Sequence, residues 1–134
     1  MHQPKVSVIM NCYNGEQYLH DSIQSVITQT YENWELIFWD NQSDDKSKEI
    51  FSQFEDPRLK YYYSDKHTTL GQARNLAIEK AEGDWVGFLD VDDLWWKDKL
   101  EKQLALIGSN DEIGFIYGKS DIIYFNSKNN KSEI

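Results

Sequence analysis

Apolar residues along this chain of 134 residues change their period several times, and each change marks an element. The run KVSVIMN at 5–11 is continuously apolar and β-branched, the signature of a parallel strand buried on both faces. CYNG follows as a turn, with Asn14 and Gly15 suited to positive φ. From Gln17 to Gln29, Leu19, Ile23, Val26 and Ile27 recur at helical spacing. WELIFWD at 34–40 predicts a second strand, NQSDDKS a polar turn in which Ser43 or Asp44 suits a helix cap, and KEIFSQF a short helix stopped by Asp56-Pro57. LKYYY at 59–63 predicts a third strand, QARNLAIEKA a helix ending near Gly83, and WVGFL at 85–89 a fourth strand. KDKLEKQLALI predicts a last helix over 97–107, and IGFIYG and DIIYF two final strands. The tail NSKNNKSEI carries no periodicity and is expected to be loop or frayed.

Strands that alternate with helices predict an α/β domain, a mainly parallel sheet with helices on both faces. The length suits one domain with its own core, placed at 1–125, followed by the polar stretch 126–134. In such sheets ligands gather at the carboxyl ends of the strands. Four polar clusters fall there: Cys12 to Glu16, Asp40 to Asp45, Ser64 to Thr69 and Asp90 to Asp93. Their convergence predicts a single site.

The net charge of −9 sets the field against nucleic acid and anionic membrane, so a phosphate ligand needs local help from a cation, backbone N–H groups or a basic side chain such as Arg74. Cys12 is the one cysteine, which excludes an internal disulfide, and it reads as a small apolar filler rather than a nucleophile. No run approaches the roughly 18 apolar residues of a membrane span, so the expected location is the cytoplasm.

The element LDVDD at 89–93 concentrates the chemistry. A solvated acidic turn accounts for Asp93, read as the cap of a helix starting near Trp96. Asp90 and Asp92 come straight out of an apolar strand, and two carboxylates held together do not both stay ionised cheaply without a cation. Mg²⁺ or Mn²⁺ takes such hard oxygen ligands together with phosphates; a solvated turn is the competing account. Asp40, at the end of another strand, is placed to accept a hydrogen bond from a base N–H. Arg74, in the first turn of its helix, either faces an anionic ligand or pairs with a surface acid. Tyr13 either flanks a planar base or packs in the core. His2, His20 and His67 are scattered and receive no ligand role.

The stretches VSVIMNCYNGEQYLHDSIQSVITQTYENWELIFWDNQSDD and GQARNLAIEKAEGDWVGFLDVDD together resemble the inverting family 2 glycosyltransferases of the GT-A fold, from about Pro4 to Trp96. The resemblance rests on the order and spacing of several motifs, not on one Asp-x-Asp. It implies a nucleotide-sugar donor, usually uridine-linked, with Mn²⁺ or Mg²⁺ on its diphosphate. The base would lie near Cys12, Tyr13 and Asp40 with Arg74 close by, Glu16 would match the acidic residue of the first loop, Asp90 would face ribose and metal, and Asp92 would ligate the metal. A saccharide or lipid-linked acceptor is implied, acting at the inner face of a membrane. The family's catalytic base lies well beyond the Asp-x-Asp motif, so it is expected outside this chain, in an acceptor half; Asp121 and Glu112 are the late acids within it.

Overall fold

The computed structural model describes residues 3–108, 110–125 and 132–133. Contacts divide the chain into two units, Met1–Lys102 and Gln103–Ile134. The first carries four parallel strands, β1 (Val6–Cys12), β2 (Trp34–Asp40), β3 (Leu59–Tyr63) and β4 (Trp85–Phe88), in the order β3-β2-β1-β4. Between them run α1 (Leu19–Ile27), α2 (Ser47–Ser52) and α3 (Leu70–Ile78), and α4 (Lys99–Ile107) follows β4. These elements agree with the periodicities within a few residues at each end.

The two central strands are apolar because they are covered on both faces. All seven residues of β2 are buried, and β1 is buried except for the partly exposed Asn11. Alternation then assigns the faces. Ile9, Ile37 and Trp39 form one core cluster with Ala73 and Ala77 of α3, whose small side chains let the helix approach the sheet. Phe38 lies on the other face against Phe51 of α2, ring centroids 4.7 Å apart, and α2 touches α1. α1 turns Leu19, Ile23 and Val26 inward.

At the amino end of the sheet a charge is buried outright. Glu35 is 1% exposed. Its Oε1 accepts from Ser7 Oγ at 2.6 Å and from the Glu82 N–H at 2.7 Å, and its Oε2 pairs with Lys60 at 2.7 Å and Lys5 at 3.1 Å. Ser7 Oγ in turn accepts from Gly83 N at 2.8 Å, and a side chain at Gly83 would stand 2.7 Å from the Ser7 backbone nitrogen, so the strand entry tolerates only glycine there.

The second unit departs from expectation. No strand forms over 113–118: Phe115 and Tyr117 are 78% and 84% exposed, and an apolar run becomes a strand only where a partner supplies its ladder and cover. The strand expected at 121–125 shrinks to β5 (Tyr124–Phe125), paired antiparallel with β6 (Ser132–Glu133). The tail expected to be loop therefore contributes a strand at Ser132–Glu133, while 126–131 and 134 lie outside the described residues.

Burial works against the Glu35 charge, but Lys60, Ser7, the Glu82 N–H and Lys5 outweigh it and hold the carboxyl at about 2, below its ordinary 4.5. A carboxyl lowered on folding binds fewer protons in the native state. Its contribution is therefore complete above about pH 4.5 and lost as the pH falls toward 2, an amount on the order of 3 kcal/mol. Urea unfolding from pH 7 to pH 2 should show this loss, and Glu35→Gln should flatten that part of the profile while lowering stability at pH 7 by about 2–3 kcal/mol.

Candidate functional site

The in-register pairing of Cys12 with Asp40 ends β1 and β2 at one level, and the two following loops are joined there. Asn14 takes the left-handed conformation at φ 53°, donates its N–H to Ser43 Oγ at 2.9 Å and accepts from the Asp44 N–H at 2.9 Å through Oδ1. Gly15 N donates to Ser47 Oγ at 3.0 Å. Glu16 N donates to Asp45 Oδ2, and Glu16 Oε2 accepts from the Lys46 N–H, both at 3.0 Å. Glu16, expected to match the acidic residue of the first loop, is bonded to the neighbouring loop. Cys12 is buried, its thiol pushed up by that burial, and its sulfur lies 3.7 Å from Ser43 Oγ.

Asp40 is enclosed at the end of β2. Its side chain is 0% exposed, with Oδ1 accepting from Ser43 N at 2.8 Å and Oδ2 from the Tyr61 hydroxyl at 2.6 Å. Burial, followed by this carboxylate, pushes the Tyr61 phenol well up. Asp40 is an acceptor for its own loop and for β3. Ser43 and Asp44 do not cap α2 either; they bridge to Asn14.

The surface beside this joint is a cleft of about 280 Å³ lined by Asn11, Cys12, Tyr13, Asn41, His67 and Thr68, with Thr69, Leu70 and Ala73 of the α3 end. Asn41 holds its rim: Nδ2 donates to Thr68 O at 2.8 Å, and Oδ1 accepts from Thr68 N at 3.0 Å. His67 Nδ1 lies 2.9 Å from Asn41 O; a carbonyl only accepts, so Nδ1 carries the hydrogen. Its ring meets Tyr13 edge-on at 4.5 Å, and Tyr13 is exposed. Tyr13 is therefore a surface ring of the cleft and not a core residue. Asn41 and His67 were not singled out by the sequence. Both lie inside clusters expected to converge, at 40–45 and 64–69, but neither was given a role of its own, because which side chains of the two loops meet is decided only in the fold.

Asp90, Asp92 and Asp93 form the other part. Each offers a carboxylate oxygen, all within 4.8 Å of one another, and all three are exposed. Asp93 does not cap a helix, since α4 starts at Lys99; its N–H closes a turn on Asp90 O at 3.0 Å. Partial burial, then the charges of Asp92 and Asp90, push its carboxyl up. Arg74 Nη2 pairs with Asp90 Oδ1 at 3.1 Å. α3 begins at Leu70 with a capping box between Thr69 and Gln72, so Arg74 sits beyond the first turn, outside the reach of the helix dipole. Three hard oxygens without histidine or cysteine suit Mg²⁺ or Mn²⁺ better than Zn²⁺.

α1 holds this acidic turn from beneath. Ser22 Oγ donates to Asp93 O at 2.7 Å and lies 3.1 Å from Asp90 O, Ser25 Oγ accepts from Trp95 N at 3.2 Å, and Gln29 reaches Trp96 O at 2.8 Å and Leu100 N at 3.1 Å. These residues also escaped the sequence reading, although polar positions at 22, 25 and 29 share the spacing of the apolar face. A side chain at Gly15 would come within 2.8 Å of Val91 Cγ2, so the first loop also supports the turn.

Residues 7–133 match the family described as Glycosyl transferase family 2. The chain belongs to that family. The glycosyltransferase WfgD of Escherichia coli, named as a UDP-Glc:alpha-D-GlcNAc-diphosphoundecaprenol beta-1,3-glucosyltransferase, is 41% identical over 122 residues, which is 91% of this chain and 48% of WfgD. S. aureus TarS 1-349, solved in complex with UDP-GlcNAc, superposes with a TM-score of 0.74 at 30% identity, over 78% of this chain and 31% of TarS. The mannosyltransferase PcManGT from Pyrobaculum calidifontis, solved with GDP-Man and Mn²⁺, gives 0.71 at 25% identity, over 78% of this chain and 33% of PcManGT. The fold is of the GT-A type. This family 2 chain spans about half the length of the curated relatives it matches, 42% and 48% of two of them.

Removing one charge from the acidic turn should relax the others. Asp92→Asn should bring the Asp93 carboxyl down toward its ordinary range, read by carboxyl NMR; an unmoved titration would assign the rise to burial alone. Removing the clamp should act on stability. Ser22→Ala deprives Asp93 O and Asp90 O of a shared donor and should cost about 1–2 kcal/mol in urea unfolding.

Proposed function

We propose that this chain is the donor-binding part, residues 1–125, of an inverting glycosyltransferase that moves a sugar from a uridine diphosphate sugar to an acceptor hydroxyl. The observation that carries the reading is that strands of one parallel sheet carry, after their carboxyl ends, both the cleft at Asn11, Tyr13, Asn41 and His67 and the carboxylates of Asp90, Asp92 and Asp93. An acidic protein that binds a diphosphate needs a cation where its own acids converge. Asp92 and Asp90 are the ligands of Mn²⁺ or Mg²⁺ in this reading, with Asp93 beside them. The bound cation supplies Lewis-acid neutralisation of the departing diphosphate. Arg74 steadies the turn through Asp90 and lends it positive charge. Tyr13 presents its ring to the base, while Cys12 and Glu16 act by holding the loops.

The donor assignment is supported by UDP-GlcNAc in TarS and UDP-Glc in the name of WfgD, and the cation by Mn²⁺ in PcManGT. The acceptor is a saccharide or lipid-linked glycan reached from the cytoplasmic face of a membrane, in line with the diphosphoundecaprenol acceptor in the name of WfgD. No helix among the described residues is long and apolar enough to cross a membrane. Glu112 and Asp121 are both exposed in the second unit, and neither is assigned as the base. Transfer needs such a group within hydrogen-bond reach of the acceptor hydroxyl.

Calorimetry with UDP should show affinity at least tenfold greater with Mn²⁺ than with chelator, and Asp92→Asn should abolish that difference. Equal affinity in both conditions overturns the cation assignment; no affinity for any nucleoside diphosphate overturns the reading itself.

A further inference from the structure

A polar residue interrupts the apolar face that α1 turns inward. Leu19, Ile23 and Val26 are fully buried there, and Ser22 lies among them, itself 0% exposed. A buried hydroxyl costs free energy unless it is bonded, so its partners explain its place. They lie 68 and 71 positions further along the chain: Ser22 Oγ is 3.1 Å from Asp90 O and 2.7 Å from Asp93 O. A serine hydroxyl carries one hydrogen, so the two carbonyls share it. Asp90 O also accepts from the Asp93 N–H at 3.0 Å, and this short set of bonds fastens the first and last residues of the acidic turn to one side chain of α1. The middle of the turn is confined from another side, since a Cβ at Gly15 would stand 2.8 Å from Val91 Cγ2.

The backbone of the turn is thus tied inward while its three carboxylates, exposed and with oxygens all within 4.8 Å of one another, repel each other. That repulsion favours an opened turn, and a cation that meets an open turn must first gather its ligands. The apparent affinity then falls in proportion to the fraction of molecules already closed. We infer that Ser22 is a positioning residue for the cation: by pinning the carbonyls of Asp90 and Asp93, its hydroxyl keeps the carboxylates of Asp90 and Asp92 gathered for a divalent ion. The inference rests on the cation reading above and adds to it the group that prepares the ligands. Because the hydroxyl acts through two backbone carbonyls, its removal leaves the ligand set intact and changes the concentration of cation needed to fill it.

The test measures UDP bound to the 134-residue chain by equilibrium dialysis over a series of Mn²⁺ concentrations, for the parent, Ser22→Ala, Ser22→Cys and Ser7→Ala. Ser22→Cys nearly keeps the volume but supplies only a weak donor, and it carries the comparison if the alanine variant does not fold. Ser7→Ala removes another buried hydroxyl, the one that serves Glu35 at the amino end of the sheet, and so lowers stability away from the turn. The Mn²⁺ concentration at half-maximal UDP binding should rise at least fivefold in the Ser22 variants, the order expected of one hydrogen bond, and stay within twofold of the parent in Ser7→Ala. At saturating Mn²⁺ the Ser22 variants should bind UDP within twofold of the parent, because mass action closes the turn. In thermal unfolding with UDP, Ser22→Ala should lower Tm more in Mn²⁺ than in chelator, whereas Ser7→Ala should lower it equally in both. Half-maximal binding within twofold of the parent in the Ser22 variants overturns the inference, and so does an equal rise in Ser7→Ala, which would reduce the effect to general stability. A parent whose UDP binding is indifferent to Mn²⁺ overturns the cation reading and this inference together; a parent that needs Mn²⁺ with unaffected Ser22 variants overturns this inference alone.

Discussion

The parallel register of β1 against β2 is the constraint from which the site follows. Seven consecutive pairs, from Val6 with Trp34 to Cys12 with Asp40, end the two central strands at the same height. Their loops leave side by side, and Asn14, Gly15 and Glu16 bond to Ser43, Asp44, Asp45, Lys46 and Ser47. A slip of one residue would reverse every side chain between faces and would carry Asn14 away from Ser43. Asp40 closes the arrangement by turning its carboxylate inward to Ser43 N and Tyr61, which ties β3 to the same level.

The two ends of this sheet treat charge in opposite ways. At the amino end Glu35 is buried, and two lysines, a hydroxyl and an amide N–H supply all that the carboxylate lost on leaving water. At the carboxyl end Asp90, Asp92 and Asp93 are pressed together, and Arg74 answers only Asp90 among the described ion pairs. One end is a completed structural network, the other a cluster of like charges with a single basic partner among the described ion pairs. The backbone is nevertheless held at that second end, because Ser22 and Ser25 of α1 and Gln29 just beyond it bond to Asp90 O, Asp93 O, Trp95 N, Trp96 O and Leu100 N. Membership of glycosyl transferase family 2 gives this contrast its chemical sense: a fixed turn with an unneutralised face is suited to a metal-bound diphosphate.

Periodicity alone placed the four parallel strands and the four helices, because each buries a continuous face that local spacing records. The acidic turn was equally plain, since three carboxylates in four positions are a local fact of the chain. What local order did not carry was the partner of each polar group. Asp40 meets Tyr61 across 21 positions, His67 meets Asn41 across 26, and Ser22 meets Asp93 across 71. The pairing of β2 with β3 brings the first two pairs together and the packing of α1 the third, so Asp40 became a buried acceptor and Asn41 and His67 became cleft residues. The runs at 113–118 and 121–125 show the same limit from the other side: their composition is that of strands, but a ladder needs a partner, and only Tyr124–Phe125 has one. Composition and period determined which segments wanted to be helix or strand and where charge would gather; which polar atoms found partners, and which partners, was decided by tertiary contacts, because hydrogen bonding depends on distance in space and not along the chain.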